Sequence, residues 1–188
     1  MSLRIYGNRV LKTLPGKATR PTPSRVREAV FNILQGQIED CRWLDLCSGM
    51  GTMGAEALAR GAAFVLGIER ERDAVQVIEE NWLSFGPERS LVIRSKLPDA
   101  LTAVQRKQEP FDIIYFDPPY QSDLYELVVP KIDLLDLLQP QGVLLCEHHR
   151  GRVLPKIWGR LTRVDHRTYG ETCISFYQGN IIIGASEI

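Results

Sequence analysis

From residue 42 to residue 146 short apolar runs alternate with stretches of helical spacing, and this alternation constrains the fold more than any other feature. The runs Trp43–Cys47, Phe64–Ile68, Leu91–Ile93, Phe111–Phe116 and Gly142–Cys146 read as strands. Helices are expected between them, over Gly51–Arg60 and over about 71–83, 98–107 and 123–138. Strand and helix repeated in this way build a parallel sheet with helices on both faces. After about residue 160 the pattern becomes two strands, Leu161–Thr168 and Thr172–Tyr177, joined at Tyr169-Gly170-Glu171. An antiparallel pair closing a mostly parallel sheet fits that ending. The expected class is α/β: a Rossmann-like, mostly parallel seven-stranded sheet with a final antiparallel strand.

The first 38 residues follow a different pattern. Leu3 and Ile5, then Val10 and Leu11, flank Gly7-Asn8, which predicts a small β-hairpin. Ser24 is placed as the N-cap of a helix whose apolar stripe is Val26, Val30, Ile33 and Leu34. Residues 1–38 are expected to form a hairpin-and-helix extension of a main domain over 39–188. The tail Ile181–Ile188 either extends the last strand or frays.

Acids and bases balance at 23 each over 188 residues, yet they are unevenly placed. Residues 1–27 hold Arg4, Arg9, Lys12, Lys17, Arg20, Arg25 and Arg27 and no acid. Residues 149–167 hold Arg150, Arg152, Lys156, Arg160, Arg163 and Arg167 against Asp165 alone. Such segregation predicts either a basic rim for a phosphate backbone or two solvated faces. Arg25 and Arg27 fall in the first turn of the expected helix, where the dipole disfavours cations. An anionic partner, or equally a nearby acid, would hold them there.

Cys41, Cys47, Cys146 and Cys173 show no CxxC spacing and read as free thiols in a reducing cytoplasm. His148 and His149 point to opposite faces of a strand, so no metal site is expected. No apolar stretch reaches ~18 residues, and the opening lacks the apolar region of a secretory signal. The expected setting is the cytoplasm, away from membranes.

Two stretches carry chemistry. Gly49-Met50-Gly51-Thr52-Met53-Gly54 follows the first strand of the alternation, and Glu69 ends the next. Strand, glycine turn, helix, strand and acid is a dinucleotide fingerprint. Asp45 argues against a dinucleotide, because its carboxylate faces the region a pyrophosphate would occupy. A ligand with a cationic centre, an ammonium and no phosphates, such as S-adenosylmethionine, would welcome it. Glu69 then serves as a ribose-hydroxyl acceptor.

The second stretch is Asp117-Pro118-Pro119-Tyr120. Proline lacks a ladder donor, so the chain leaves the sheet at Asp117, at the strand end where open α/β sheets bind ligands. Acceptors beside an aromatic face suit a flat molecule that carries an NH2 group. The Asp117 carboxylate and a Pro118 carbonyl would draw on its hydrogens, and Tyr120 could stack on the base for ~1–3 kcal/mol. Such a base must be flipped out or already unpaired.

Taken together these residues resemble the RsmD-type 16S ribosomal RNA (guanine-N2)-methyltransferases. The resemblance runs through Leu3–Ile5, Arg20–Asn32, Leu44–Gly61, Ile68-Glu69, Phe116–Tyr120 and Tyr169–Thr172, nearly the whole chain. It implies a SAM-dependent methyltransferase fold, S-adenosylmethionine as donor, and a guanine of ribosomal RNA or of an assembling small subunit as target. A monomer is expected. Asp117 would take the catalytic role, with Pro118, Pro119 and Tyr120 completing the base pocket. Asp45, Ser48, Gly49, Gly51, Glu69, Arg70 and Thr22 would bind cofactor, and Arg20, Arg25, Arg27, Arg4 and Lys17 would face RNA. One departure is that Ser95-Lys96 stands where the family often has Gly-Asp on the adenine side, with Asp99 several residues late.

The competing readings are a DNA or other RNA amino-methyltransferase acting on adenine N6, a protein-glutamine methyltransferase, an NAD-binding oxidoreductase and a catalytically silent SAM-binding module. A chain of 188 residues leaves little room for a DNA-recognition region. Glutamine enzymes more often carry Asn in the first position of the motif, and Asp45 disfavours NAD.

Overall fold

The computed structural model describes residues 3–14 and 23–179; Lys17, Arg20, Thr22 and the tail 181–188 lie outside the described residues. The chain opens with β1 (Leu3–Ile5) and β2 (Arg9–Leu11), an antiparallel hairpin in which Leu3 pairs with Leu11. Its turn places Gly7 and Asn8 at positive φ, which glycine and asparagine tolerate best. Next comes α1 (Ser24–Ile33). Ser24 is its first helical residue rather than its cap: Pro23 precedes the helix, and the Pro23 carbonyl accepts the Val26 and Arg27 amides. The buried face is Val26, Val30, Phe31 and Leu34; Ile33 turns outward and Phe31 takes its place.

The main sheet is assembled from β3 (Arg42–Leu46), β4 (Phe64–Glu69), β5 (Ser90–Arg94), β6 (Phe111–Phe116), β7 (Leu138–His149), β8 (Ile157–Trp158), β9 (Leu161–Tyr169) and β10 (Thr172–Gly179). Their order is β5-β4-β3-β6-β7-β10-β9-β8. The five strands from β5 to β7 are parallel, and β10, β9 and β8 add antiparallel. Seven strands are long, as the sequence predicts; the two-residue β8 is an added edge too short to leave a periodic trace. The connecting helices are α2 (Thr52–Ala59), α3 (Arg72–Leu83), α4 (Ala100–Lys107) and α5 (Leu124–Leu134).

One boundary moves. The helix expected to reach residue 138 stops at Leu134, and Leu138–Pro140 already belong to β7. Leu134-Leu135-Asp136-Leu137-Leu138 is apolar enough to suit either element. Asp136 at φ 50 turns the chain, and the Leu137 amide closes the helix on the Ile132 carbonyl.

Alternation along β6 divides the core. Ile113 and Tyr115 face a layer holding the hairpin, α1, α2 and α3, while Ile114 and Phe116 face α4 and α5. Stacked rings link Phe31 of α1 to Trp43 of β3 at 5.3 Å and Trp43 to Tyr115 of β6 at 6.1 Å. The amino-terminal elements are thereby packed against the centre of the sheet. Among the described residues no helix is long and apolar enough to cross a membrane.

The hairpin is also fastened by charge. Arg27 and Glu56 form an ion pair at 3.2 Å with side chains 4% and 3% exposed. Arg27 Nη2 donates to the Arg4 carbonyl at 2.7 Å, and the Tyr6 amide donates to Glu56 at 3.2 Å. Arg27 is therefore a buried brace between α1, the hairpin and α2, not an RNA-facing cation. A nearby acid accounts for its place in the first turn. Arg4 and Arg25 remain exposed.

Candidate active site

Strand order reverses between β3 and β6: after β3 the chain builds outward through β4 and β5, then returns to lay β6 on β3's other side. Ligands of open α/β sheets bind outside the carboxyl ends of the strands at such a point. Asp45 pairs in register with Tyr115, and the Asp117 amide donates to the Leu46 carbonyl at 3.4 Å. The two motifs singled out in the sequence thus emerge side by side.

On the β3 side, Cys47, Gly49 and Gly51 all have positive φ and coil the loop tightly. The Ser48 hydroxyl donates to the Asp45 carbonyl at 2.7 Å, and the Gly51 amide donates to the Ser48 carbonyl at 2.7 Å. Ser48 acts as an internal brace of the loop. Gly51 has its carbonyl occupied as well, by the Trp82 indole N–H at 2.8 Å. A Cβ at Gly51 would lie 2.9 Å from the Trp82 nitrogen, one at Gly67 2.7 Å from its ring, and one at Gly54 would also strike the indole. These three glycines make the seat of Trp82. A Cβ at Gly49 would meet only the Cys47 carbonyl, at 4.0 Å, so Gly49 is the glycine with open space before it.

Asp45 is buried, and one of its oxygens accepts the Gly54 amide at 3.1 Å in the first turn of α2. Burial pushes its carboxyl up to about 7; the Gly54 bond opposes the rise and the Glu69 charge adds to it. No described Lys or Arg pairs with it. Glu69 lies across the loop, accepting the Gly49 amide at 2.9 Å and the Arg70 and Glu71 amides at 2.8 and 3.0 Å. Arg70 itself is exposed and pairs with Glu71 at 3.2 Å. Beyond β5, the Ser95 amide donates to the Glu69 carbonyl at 3.0 Å, while the Lys96 side chain faces solvent.

On the β6 side, burial raises the Asp117 carboxyl well above the ordinary range, and the charges of Glu147 and Asp45 raise it further. Pro118 is buried and Pro119 exposed, and the Ser122 amide closes the turn on the Pro119 carbonyl at 2.9 Å. The Tyr120 hydroxyl donates to Glu147 at 3.2 Å and lies 3.3 Å from the Thr172 hydroxyl.

Glu147, on β7, is one of two residues of the site that sequence reasoning missed. It is 2% exposed, its carboxylate also accepts the Tyr115 hydroxyl, and its carbonyl accepts the Tyr125 hydroxyl at 2.6 Å. Burial raises its carboxyl, and the two tyrosine bonds oppose the rise. Its signal was an acid directly continuing the apolar run Gly142–Cys146, which no solvated-face reading explains.

Arg152 was missed for a different reason, having been counted with the second basic cluster. Its guanidinium donates to the Tyr120 and Ser122 carbonyls at 3.2 and 2.8 Å, and to both Glu126 oxygens at 2.7 and 2.8 Å. It braces the Asp-Pro-Pro-Tyr turn from outside. Other cations of that cluster also meet acids: Arg150 with Glu171, Arg160 with Asp133 and Asp136, and Arg167 with Asp165. The segment 149–167 is thus largely neutralised, and its charge is not that of a bare basic rim.

The geometry joins a buried carboxyl under a glycine loop to a second carboxyl with an adjoining aromatic ring. It can hold a cationic ligand at one strand tip and accept hydrogens from an amine at the next. The family model described as conserved hypothetical protein 95 matches residues 3–178. YlbH of Bacillus subtilis is 32% identical over 171 residues, covering 90% of this chain and 93% of that protein. Ribosomal RNA small subunit methyltransferase D of Haemophilus influenzae is 29% identical, covering 93% and 90%. The solved structure of YhhF from Escherichia coli superposes with a TM-score of 0.82 at 28% identity, covering 95% of this chain and 98% of that one. The chain belongs to the RsmD-type family of ribosomal RNA small-subunit methyltransferases.

Proposed function

We propose that this protein moves a methyl group from S-adenosylmethionine to the exocyclic N2 amine of a guanine in small-subunit ribosomal RNA. The observation that carries the reading is the adjacency of Asp45 and Asp117 at the tips of neighbouring strands β3 and β6. The residues suit the cofactor: Asp45 is a buried carboxylate without a described cation, and Gly49 leaves open space beside the Glu69 carboxylate. When bound, S-adenosylmethionine supplies a methyl group on a positively charged sulfur.

The chain's own residues supply binding, orientation and a proton acceptor. Asp45 offsets cationic charge, and Glu69 accepts from ribose hydroxyls. Ser48 and Gly51 hold the loop that shapes the pocket. The Asp117 carboxylate and a Pro118 carbonyl accept the amine's hydrogens and turn its lone pair out of the ring, which stabilises the charge that develops as nitrogen attacks. The proton that the alkylated nitrogen releases passes to the Asp117 carboxylate, which already accepts from that amine, and burial makes this carboxylate a stronger base than an exposed one. Tyr120, held by Glu147 and Arg152, packs against the base. Residues 1–38 serve as the RNA-facing extension of the methyltransferase domain 39–188, with Arg4 and Arg25 toward the RNA. The protein works as a monomer in the cytoplasm.

The deciding experiment is transfer of a labelled methyl group onto small-subunit particles from cells lacking the protein, with the modified nucleotide mapped. Label on a single guanine N2 is expected. Label on adenine N6, or on no RNA, would overturn the reading, as would calorimetry in which NAD binds and S-adenosylmethionine does not.

A further inference from the structure

We infer that the cavity beside Tyr120 is a second base-binding subsite, which takes the unpaired nucleotide next to the target in the same RNA strand. The inference rests on the methyltransferase reading above. The cavity has a volume of about 450 Å³ and, among the described residues, is lined by Tyr120, Gln121, His149, Gly151 and Arg152. That volume lies within the range of small-ligand clefts, roughly 300–1,000 Å³. Asp117 and Pro118 are absent from this lining, so a base seated there is distinct from the one whose amine meets the Asp117 carboxylate. Tyr120 belongs to both places. A strand that delivers one nucleotide to the Asp-Pro-Pro-Tyr turn therefore carries its neighbour past this cavity.

His149 lines the cavity beside Tyr120, and its imidazole is fixed at both nitrogens. The Gly151 amide donates to His149 Nδ1 at 3.1 Å, and Nε2 lies 3.2 Å from the Glu171 carboxylate. Both polar edges are thus engaged and the ring is held in place, half-exposed. Its centroid stands 5.9 Å from that of Tyr120, with the planes 49° apart. Arg152 does not offer a free charge to a phosphate here, because its guanidinium is committed to two carbonyls and to Glu126. Two adjoining aromatic rings, one of them fixed at both nitrogens, beside a guanidinium whose charge is already paired suit a flat nucleobase, and stacking of this kind tolerates any base.

The test compares His149→Ala and His149→Phe with the unaltered protein in methyl transfer onto undermethylated small-subunit particles. Removing the ring should raise KM for the particle about tenfold, equivalent to about 1.4 kcal/mol. KM for S-adenosylmethionine and the melting temperature should stay unchanged, and His149→Phe should restore particle KM to within about twofold. An unchanged particle KM in His149→Ala, with the unaltered protein active, overturns the subsite alone. A phenylalanine variant as poor as the alanine one overturns stacking as its basis. An unaltered protein that methylates no particle overturns the function and the subsite with it.

Discussion

The Asp117 amide donates to the Leu46 carbonyl at 3.4 Å, at the place where β3 and β6 part. The glycine loop and the Asp-Pro-Pro-Tyr turn therefore spring from one junction, and their carboxylates share one desolvated space with Glu147. Burial raises all three of Asp45, Asp117 and Glu147. Crowding acids in this way costs the empty protein stability, and a cationic ligand together with an amine donor relieves it.

Asp117→Ala removes the acceptor for the amine while leaving the glycine loop intact. Its kcat should fall by about 10²–10³-fold, the usual effect of losing one preorganised stabilising group. Calorimetry should find cofactor affinity within about twofold of the unaltered protein. Persisting activity would move the catalytic role elsewhere.

Glu147→Gln removes a charge that raises Asp117, while its amide oxygen can still accept one tyrosine hydroxyl. With that charge gone the Asp117 carboxyl ionises at lower pH. The acid limb of the kcat profile should consequently move to lower pH. A purely structural role for Glu147 predicts a lower rate with the limb in place.

Asp45→Asn should separate stability from binding. Burial lifts the Asp45 carboxyl from 3.8 to about 7, so the folded protein binds that proton more tightly than the unfolded chain does. As pH rises from about 4 to about 7 the unfolded chain releases the proton first and stability falls, by on the order of 4 kcal/mol once the window is passed. Asparagine keeps an oxygen for the Gly54 amide and incurs no such loss. The variant should melt about 5 °C or more above the unaltered protein at about pH 8. The gap should narrow toward about pH 5, and cofactor affinity should drop at least about tenfold. Equal melting points at the higher pH would mean that Asp45 ionises in the folded state without penalty.

Arg25 and Arg27 should part company. Arg27→Ala leaves Glu56 to Arg60 and the Tyr6 amide but removes the bond to the Arg4 carbonyl and opens a cavity under the hairpin, and should cost about 1–3 kcal/mol, read as a fall in melting temperature. Arg25→Glu, on the exposed side of α1, should leave melting unchanged, weaken RNA binding and reduce the salt slope by about 1 or more. Loss of RNA affinity in a fully stable Arg27→Ala variant would return that residue to the RNA face.

Local sequence determined the elements and their punctuation. Apolar runs of strand length and helical spacing marked β3 to β7 and α1 to α5, because those periods are properties of neighbouring residues. Pro118-Pro119 fixed where β6 ends, since proline cannot continue the ladder, and the positive-φ glycines marked the loop after β3. The Leu134–Leu138 run could not be divided from the sequence, because the same leucines satisfy either period.

Only the tertiary structure decided which charges meet. Arg27 and Arg152 look like members of basic clusters until packing sets them against Glu56 and Glu126. Gly51 and Gly54 look like parts of a ligand cradle until Trp82, from a helix further along the chain, fills their open sides. Glu147 enters the site because β7 lies beside β6 in a register that pairs Phe116 with Cys146. Strand neighbours and register follow from the summed packing of the whole core, and no short stretch of residues encodes that sum.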